Sequence, residues 1–284
     1  MGRPRSLANI KDYSRALKNG RGLGVGSDYL PWLRVNDVPS RGKSTKIYGI
    51  KTERTYQLLS GVESNFFTIA EYNPRVVDIR EQFPLLPLDL IVRVANEAGI
   101  NYPIISKSND PCVLTTDFVL TISDKDKITY LPVAAKTSEE LNEPGVAERL
   151  EIERLWWSAV GAPWRLVTEK QIKKVVARNI EWFAAPLRGR KQLLLRDNCK
   201  EEMERLAGVV VPGIYEWSGL VNQLSHDIKL STDKTLVLLK AAIWHQLILV
   251  NMDTRIEIAR ENVIEILDIN DKIMEERTNA KISS

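Results

Sequence analysis

Two apolar runs, Val113 to Ile122 and Ile128 to Ala135, are separated only by Ser123-Asp124-Lys125-Asp126-Lys127, and no other feature limits the fold of this chain as tightly. Runs rich in β-branched residues on either side of a short polar turn specify an antiparallel hairpin. The pair carries two charged groups on otherwise apolar strands: Asp117, in Thr115-Thr116-Asp117-Phe118-Val119, and Lys136, which closes Leu131-Pro132-Val133-Ala134-Ala135-Lys136. The fold therefore has to bring a carboxylate and an ammonium close together on neighbouring strands.

The flanking patterns build a domain around this hairpin. Ile47-Tyr48 and Tyr56 to Leu59 suggest a smaller hairpin. Ser60-Gly61-Val62-Glu63 has the form of a capping box, and the helix it opens runs through Phe66, Phe67, Ile69 and Ala70 to a stop at Asn73-Pro74. Arg75 to Phe83 alternates as a half-buried strand, Leu88 to Ala98 reads as a helix stopped by Gly99, Pro144 to Val160 as a helix, and Trp164 to Thr168 as a short strand. This order predicts an α/β domain, a mixed sheet flanked by helices, over residues 1–168. Over residues 169–284 helix signals dominate: Gln171 to Phe183, Lys191 to Leu206, Tyr215 to Ile228, a polar turn Lys229 to Asp233, Thr235 to Gln246, then an extended Leu247 to Met252. That order predicts a mainly helical, winged-helix-like second domain, with residues 270–284 as a charged tail.

Composition narrows the chemistry. With two cysteines and two histidines in 284 residues, a zinc site of thiolates and imidazoles cannot be assembled, and His226 and His245 read as packing or surface groups. A metal here would be a hard cation held by oxygen, magnesium or manganese. No apolar run is long enough for a membrane span and no signal peptide opens the chain, so the expected compartment is the cytoplasm. Residues 1–60 hold 12 Lys/Arg against 4 Asp/Glu, whereas residues 61–170 hold 11 against 17. A basic lobe beside an acidic middle fits a protein that grips phosphates with one part and a cation with the other. Arg3, Arg5, Arg15 and Arg21 are the candidate phosphate contacts, and the glycine-rich Gly20 to Gly26 reads as a flexible arm among them.

Glu63 completes the set. Alone it reads as a capping glutamate; with Asp117 and Lys136 it makes two carboxylates and a lysine, the groups that metal-dependent phosphodiester cleavage uses. Asp117 is the expected central ligand, Glu63 completes the shell, and Lys136 orients or deprotonates the attacking water. Glu153 is a secondary candidate for a second metal or for supporting the lysine, although a surface pair with Arg149 one turn earlier is the simpler reading. Arg80 and Gln82 are candidates for bracing the site or touching DNA.

The run Ser60 to Phe83, with Asp117, Lys136 and Thr168-Glu169-Lys170-Gln171-Ile172, resembles the TnsA family, endonuclease subunits of Tn-seven-type heteromeric cut-and-paste transposases. Val77-Asp78-Ile79-Arg80-Glu81-Gln82-Phe83-Pro84-Leu85 is its most specific piece, supported by Asp28-Tyr29-Leu30-Pro31-Trp32 and Asn179-Ile180-Glu181-Trp182. The resemblance implies a restriction-endonuclease-like domain that cuts the 5′ ends of transposon DNA while a DDE transposase, TnsB, cuts and joins the 3′ ends. It implies a C-terminal domain that engages the AAA+ regulator TnsC, and a bacterial, nucleoid-associated location. In the family the glutamate, aspartate and lysine fall on Glu63, Asp117 and Lys136. The polar residue usual two places before the lysine falls on Ala134, so the backbone carbonyl of Ala135 is the remaining ligand at that point, and a carboxylate or amide restored at 134 is expected to strengthen metal binding. The alternative is a catalytically degraded relative kept as an assembly factor bridging transposase and regulator.

Overall fold

The computed structural model describes residues 7–38, 44–125, 127–188, 199–256 and 263–270. They fall into two compact units, Met1–Ile172 and Lys173–Ser284. The first unit extends four residues past the expected end at 168, because Ile172 is buried in its core and Gln171 caps the last strand, accepting from Thr168 N at 2.7 Å.

The first unit is built on α1 (Ile10–Lys18), β1 (Thr45–Tyr48), β2 (Thr55–Leu58), α2 (Gly61–Tyr72), β3 (Val76–Pro84), α3 (Leu88–Glu97), β4 (Thr115–Asp124), β5 (Lys127–Lys136), α4 (Val146–Ala159) and β6 (Arg165–Thr168). Strands β3, β4, β5 and β6 form one sheet in that order, with β3–β4–β5 antiparallel and β6 parallel to β5. The β4–β5 hairpin forms where the sequence places it, and its pairing continues down to Asp124 opposite Lys127, so the turn is tighter than the five-residue loop expected. Strand period two divides the side chains: Phe118, Leu120, Val133 and Ala135 join the α2 residues Val62, Phe67 and Ala70, whereas Val119 joins Ile91 and Ala95 of α3 and Ile152, Trp156 and Trp157 of α4. Burial on both faces holds the sheet rigid where its strands end; removing the fully buried Phe67 side chain would cost about 3–5 kcal/mol.

The basic N-terminal segment is more ordered than its charge suggests. Asn9 caps α1 by accepting from Asp12 N at 3.0 Å, and Tyr13 and Ala16 bury against Trp32, leaving Lys11, Arg15 and Lys18 exposed on the far side. The glycine-rich segment is not the flexible arm expected. Gly22, at φ +72°, lies so close to Pro84 that a Cβ would meet the proline ring at 2.3 Å, and Gly22 N donates to Leu30 O at 2.7 Å. Buried Tyr29 donates its hydroxyl to Glu81 O, and Trp32 N donates to Gln82 O, so the segment is docked along β3.

The second unit contains α5 (Lys174–Ala184), α6 (Cys199–Ala207), β7 (Gly213–Glu216), α7 (Trp217–Ile228), α8 (Thr232–Trp244), β8 (Ile248–Val250) and β9 (Val263–Ile269). Its sheet runs β7-β9-β8, all antiparallel. Strands β7 and β9 escaped the sequence reading. Gly213-Ile214-Tyr215-Glu216 is short and abuts a helix, and β9 pairs with partners distant along the chain, which local pattern cannot register. Residues 191–198 of the helix expected from Lys191 to Leu206 and 271–284 of the expected tail lie outside the described residues. Among the described residues no helix is long and apolar enough to cross a membrane.

Candidate active site

Asp117 and Lys136 meet at the end of the central hairpin. One step beyond the Phe118–Val133 pair, Asp117 Oδ2 accepts from Lys136 Nζ and from Ala135 N, each at 2.8 Å. Burial opposes the charge on Lys136, but the attraction of Asp117 and the hydrogen bond to it, with Glu63 and Glu153 adding to the field, outweigh burial and push the lysine pKa well up. In this state Lys136 is a fixed cation. A lysine held in this way is suited to offset negative charge developing beside Asp117.

Glu63 enters from the N-terminus of α2. Ser60 Oγ accepts from Glu63 N at 3.1 Å, as a capping box requires, yet the glutamate carboxylate accepts from Leu59 N at 2.9 Å instead of closing the box on Ser60. Capping of α2 by Ser60 therefore leaves the Glu63 carboxylate turned to Leu59 N, within the field of Asp117. Glu63 is only 3% exposed. Burial, then the charge of Asp117, raise its pKa to about 8 against the opposing Leu59 N–H, Lys136 and Ser60.

Gln82 and Glu153, secondary in the sequence, both belong to this cluster. Gln82 is buried on β3 with φ +49°; its Nε2 lies 3.4 Å from Glu63 Oε2 and its Oε1 accepts from the Thr115 hydroxyl at 3.1 Å. Glu153 does not form the surface pair with Arg149. It is 6% exposed, and its Oε1 accepts from Trp164 Nε1 at 2.8 Å. Burial, then Asp117, lift its pKa to about 7. The sequence carried a signal for this: Val146, Leu150, Glu153 and Trp157 follow the helical spacing of one buried stripe, in which Glu153 is the lone charge.

The other candidates divide. Arg80 lies 3.7 Å from Asp78 with its guanidinium over the Phe83 and Tyr130 rings, a brace on the strand face that makes no contact with Glu63, Asp117 or Lys136. Arg15 is exposed and lies 3.3 Å from Asp12. Arg21 is 6% exposed, and its Nη1 donates to the carbonyls of Pro31 and Trp32 at 2.9 and 3.1 Å. Its geometry is that of a structural arginine, not of a phosphate contact. Arg3 and Arg5 lie outside the described residues. Ala134 is fully buried among Val146, Leu150, Trp164 and Leu166, so the expectation that a carboxylate there would simply add a ligand has to be corrected: the added group would displace apolar packing first.

A buried pair beneath β3 was not anticipated. Arg54 Nη1 and Nη2 donate to Glu81 at 3.0 and 2.6 Å, Nη2 also reaches Ile79 O, Nε reaches Gly26 O, and the guanidinium stacks 3.8 Å from the Tyr56 ring centre. This pair ties the glycine-rich segment and β2 to the strand that carries Gln82.

Among the described residues no three His, Cys, Asp or Glu side chains are grouped as a ready cage for a metal ion. What the site has is mutual repulsion: three carboxylates near enough for Asp117 to raise both glutamates, with one lysine to offset them. Glu63, Asp117 and Glu153 are the oxygen donors that could face a hard cation here.

The first unit is thus a mixed sheet covered by helices on both faces, with Glu63, Asp117 and Lys136 converging where its central strands end. Residues 73–169 match the TnsA-like endonuclease N-terminal domain, a span that contains Asp117, Lys136, Gln82 and Glu153 and begins ten residues after Glu63. The chain is also similar to the transposon Tn7 transposition protein TnsA of Escherichia coli, 41% identical over 170 residues, or 60% of this chain and 61% of that protein. The chain spans less than two thirds of the relative it matches.

Proposed function

We propose that the chain is the metal-dependent DNA endonuclease subunit of a cut-and-paste transposase, cleaving the 5′ ends of the transposon while a DDE transposase of TnsB type cuts and joins the 3′ ends. The convergence of Glu63, Glu153 and Lys136 on Asp117 carries this reading, with the restriction-endonuclease-like layout of the sheet in support. Magnesium or manganese would be held by Glu63, Asp117 and the Ala135 carbonyl, with Glu153 supplying a further oxygen. When bound, the cation supplies charge stabilisation to the pentavalent transition state. Lys136, kept protonated, faces the same developing charge. Glu63 and Glu153, with pKa values raised towards neutrality while no metal is bound, would release their protons as the cation enters and then serve as its oxygen ligands. Arg15, with Lys11 and Lys18 on the same exposed helix face and Arg3 and Arg5 upstream, would follow the DNA backbone.

The second unit supports an interaction role. Its order from α6 onward, helix, strand, helix, helix, strand, strand, with the last strand in the middle of the sheet, supports a winged-helix reading of this unit. On the family likeness its partner is an AAA+ regulator of TnsC type, and the compartment is the bacterial cytoplasm, at the nucleoid.

The test is strand-specific nicking of transposon-end duplex with the transposase partner and magnesium present. Asp117→Ala should abolish 5′-strand cutting and leave the partner's 3′-strand cutting intact, converting excision into cointegrates. Retained 5′ cutting in this variant, or none in the unaltered chain at any metal concentration, refutes the endonuclease reading.

A further inference from the structure

Ala134 and Glu153 are linked by one side chain. Trp164, between α4 and β6, packs with Val146, Leu150 and Leu166 around the fully buried Ala134, while its indole Nε1 donates to Glu153 Oε1 at 2.8 Å. On the other side of Glu153 stands the Thr116 hydroxyl, beside Asp117 on β4. That hydroxyl accepts from Trp157 Nε1 at 2.6 Å, which commits its lone pair to the indole and turns its proton towards the glutamate. Two tryptophans, one directly and one through a threonine, thus fix a buried carboxylate on a helix whose other buried positions are apolar.

We propose that Trp164 is a positioning residue for the cleavage site: it fills the space left by the small Ala134 and holds Glu153 so that this helix carboxylate replaces the strand side-chain oxygen absent at 134. The proposal rests on the endonuclease reading above. Its logic is steric and electrostatic together. A glutamate or glutamine at 134 would enter the apolar cluster that Trp164 shares with Val146, Leu150 and Leu166, and displacing the ring would remove the hydrogen bond that orients Glu153. One carboxylate can serve from the strand or from the helix, but the packing does not admit both.

Trp164→Phe keeps an aromatic ring in the cluster and removes the N–H, and urea unfolding of the same variant reads the accompanying loss of packing separately. In the full chain without DNA, magnesium binding followed by calorimetry should weaken about tenfold, the scale for removing the hydrogen-bond partner of a metal ligand. The change in tryptophan emission that accompanies magnesium saturation in the unaltered protein should largely vanish. With the transposase partner and DNA, kcat for 5′ nicking should fall while KM for DNA holds. Ala134→Glu should weaken magnesium binding in the unaltered chain, because displacing the Trp164 ring removes the hydrogen bond that orients Glu153. Unchanged magnesium affinity and emission in Trp164→Phe, or stronger magnesium binding in Ala134→Glu, overturns the proposal while leaving the endonuclease reading intact if the unaltered chain cuts. No magnesium binding and no cutting by the unaltered chain overturns both.

Discussion

Lowering pH should weaken metal binding steeply, and the structure sets the size of the effect. Glu63 has its pKa raised to about 8 and Glu153 to about 7, in each case by burial first and by Asp117 second. At pH 6 the metal-free protein therefore holds a proton on both, and a divalent cation has to expel two; between pH 7 and 8 it expels about one, and above pH 8 almost none. Treated as two sites, this raises the apparent affinity by about 500-fold from pH 6 to pH 8, on the order of 4 kcal/mol. The two glutamates share a field and titrate as a unit, so the total is the quantity to test, not its division between them. Calorimetric titration with magnesium at pH 6, 7 and 8, at fixed ionic strength and in buffers of different ionisation enthalpy, gives both affinity and protons released. Glu63→Gln should remove about one proton from the count. The sign for stability follows from the same shifts: a carboxyl whose folded pKa is raised contributes stability that is complete below its unfolded value and is lost as pH rises through the folded value. The metal-free protein should thus lose stability between about pH 4.5 and 8, and magnesium should restore it most at the alkaline end. An affinity that rises less than tenfold from pH 6 to pH 8, with no proton release, would refute the reasoning.

Two further outcomes test other parts of the structure. Arg54→Met leaves Glu81 fully buried without its partner and should destabilise the protein by about 3–5 kcal/mol, read from urea unfolding; a loss under about 1 kcal/mol would mean that the pair is dispensable. Replacing Lys11, Arg15 and Lys18 together by alanine should lower the slope of log affinity for DNA against log salt by up to about three units, whereas Arg21→Ala should lower stability and leave that slope unchanged. An unchanged slope in the triple variant would make this face of α1 a solvated surface.

Local pattern determined the elements that depend on near neighbours. The β4–β5 hairpin, the Ser60 cap and α4 follow from runs, turns and spacing within a few residues, because alternation and capping are short-range effects. The same hairpin made Asp117 and Lys136 legible as a pair, and the family likeness added Glu63. Tertiary structure decided the rest. Gly20 to Gly26 looked like a mobile arm because glycine permits many conformations; which one it takes depends on Pro84, Tyr29 and Glu81, all distant in sequence or beyond the run. Arg21 and Arg15 are the same residue type six positions apart, yet one is buried on backbone carbonyls and the other faces solvent, a difference that only packing creates. Glu153 shows the division most clearly. Its helical spacing marked it for burial, but a buried carboxylate is stable only with donors around it, and those donors, Trp164 and Thr116, come from the two strands' ends that the crossover helix brings to either side of it.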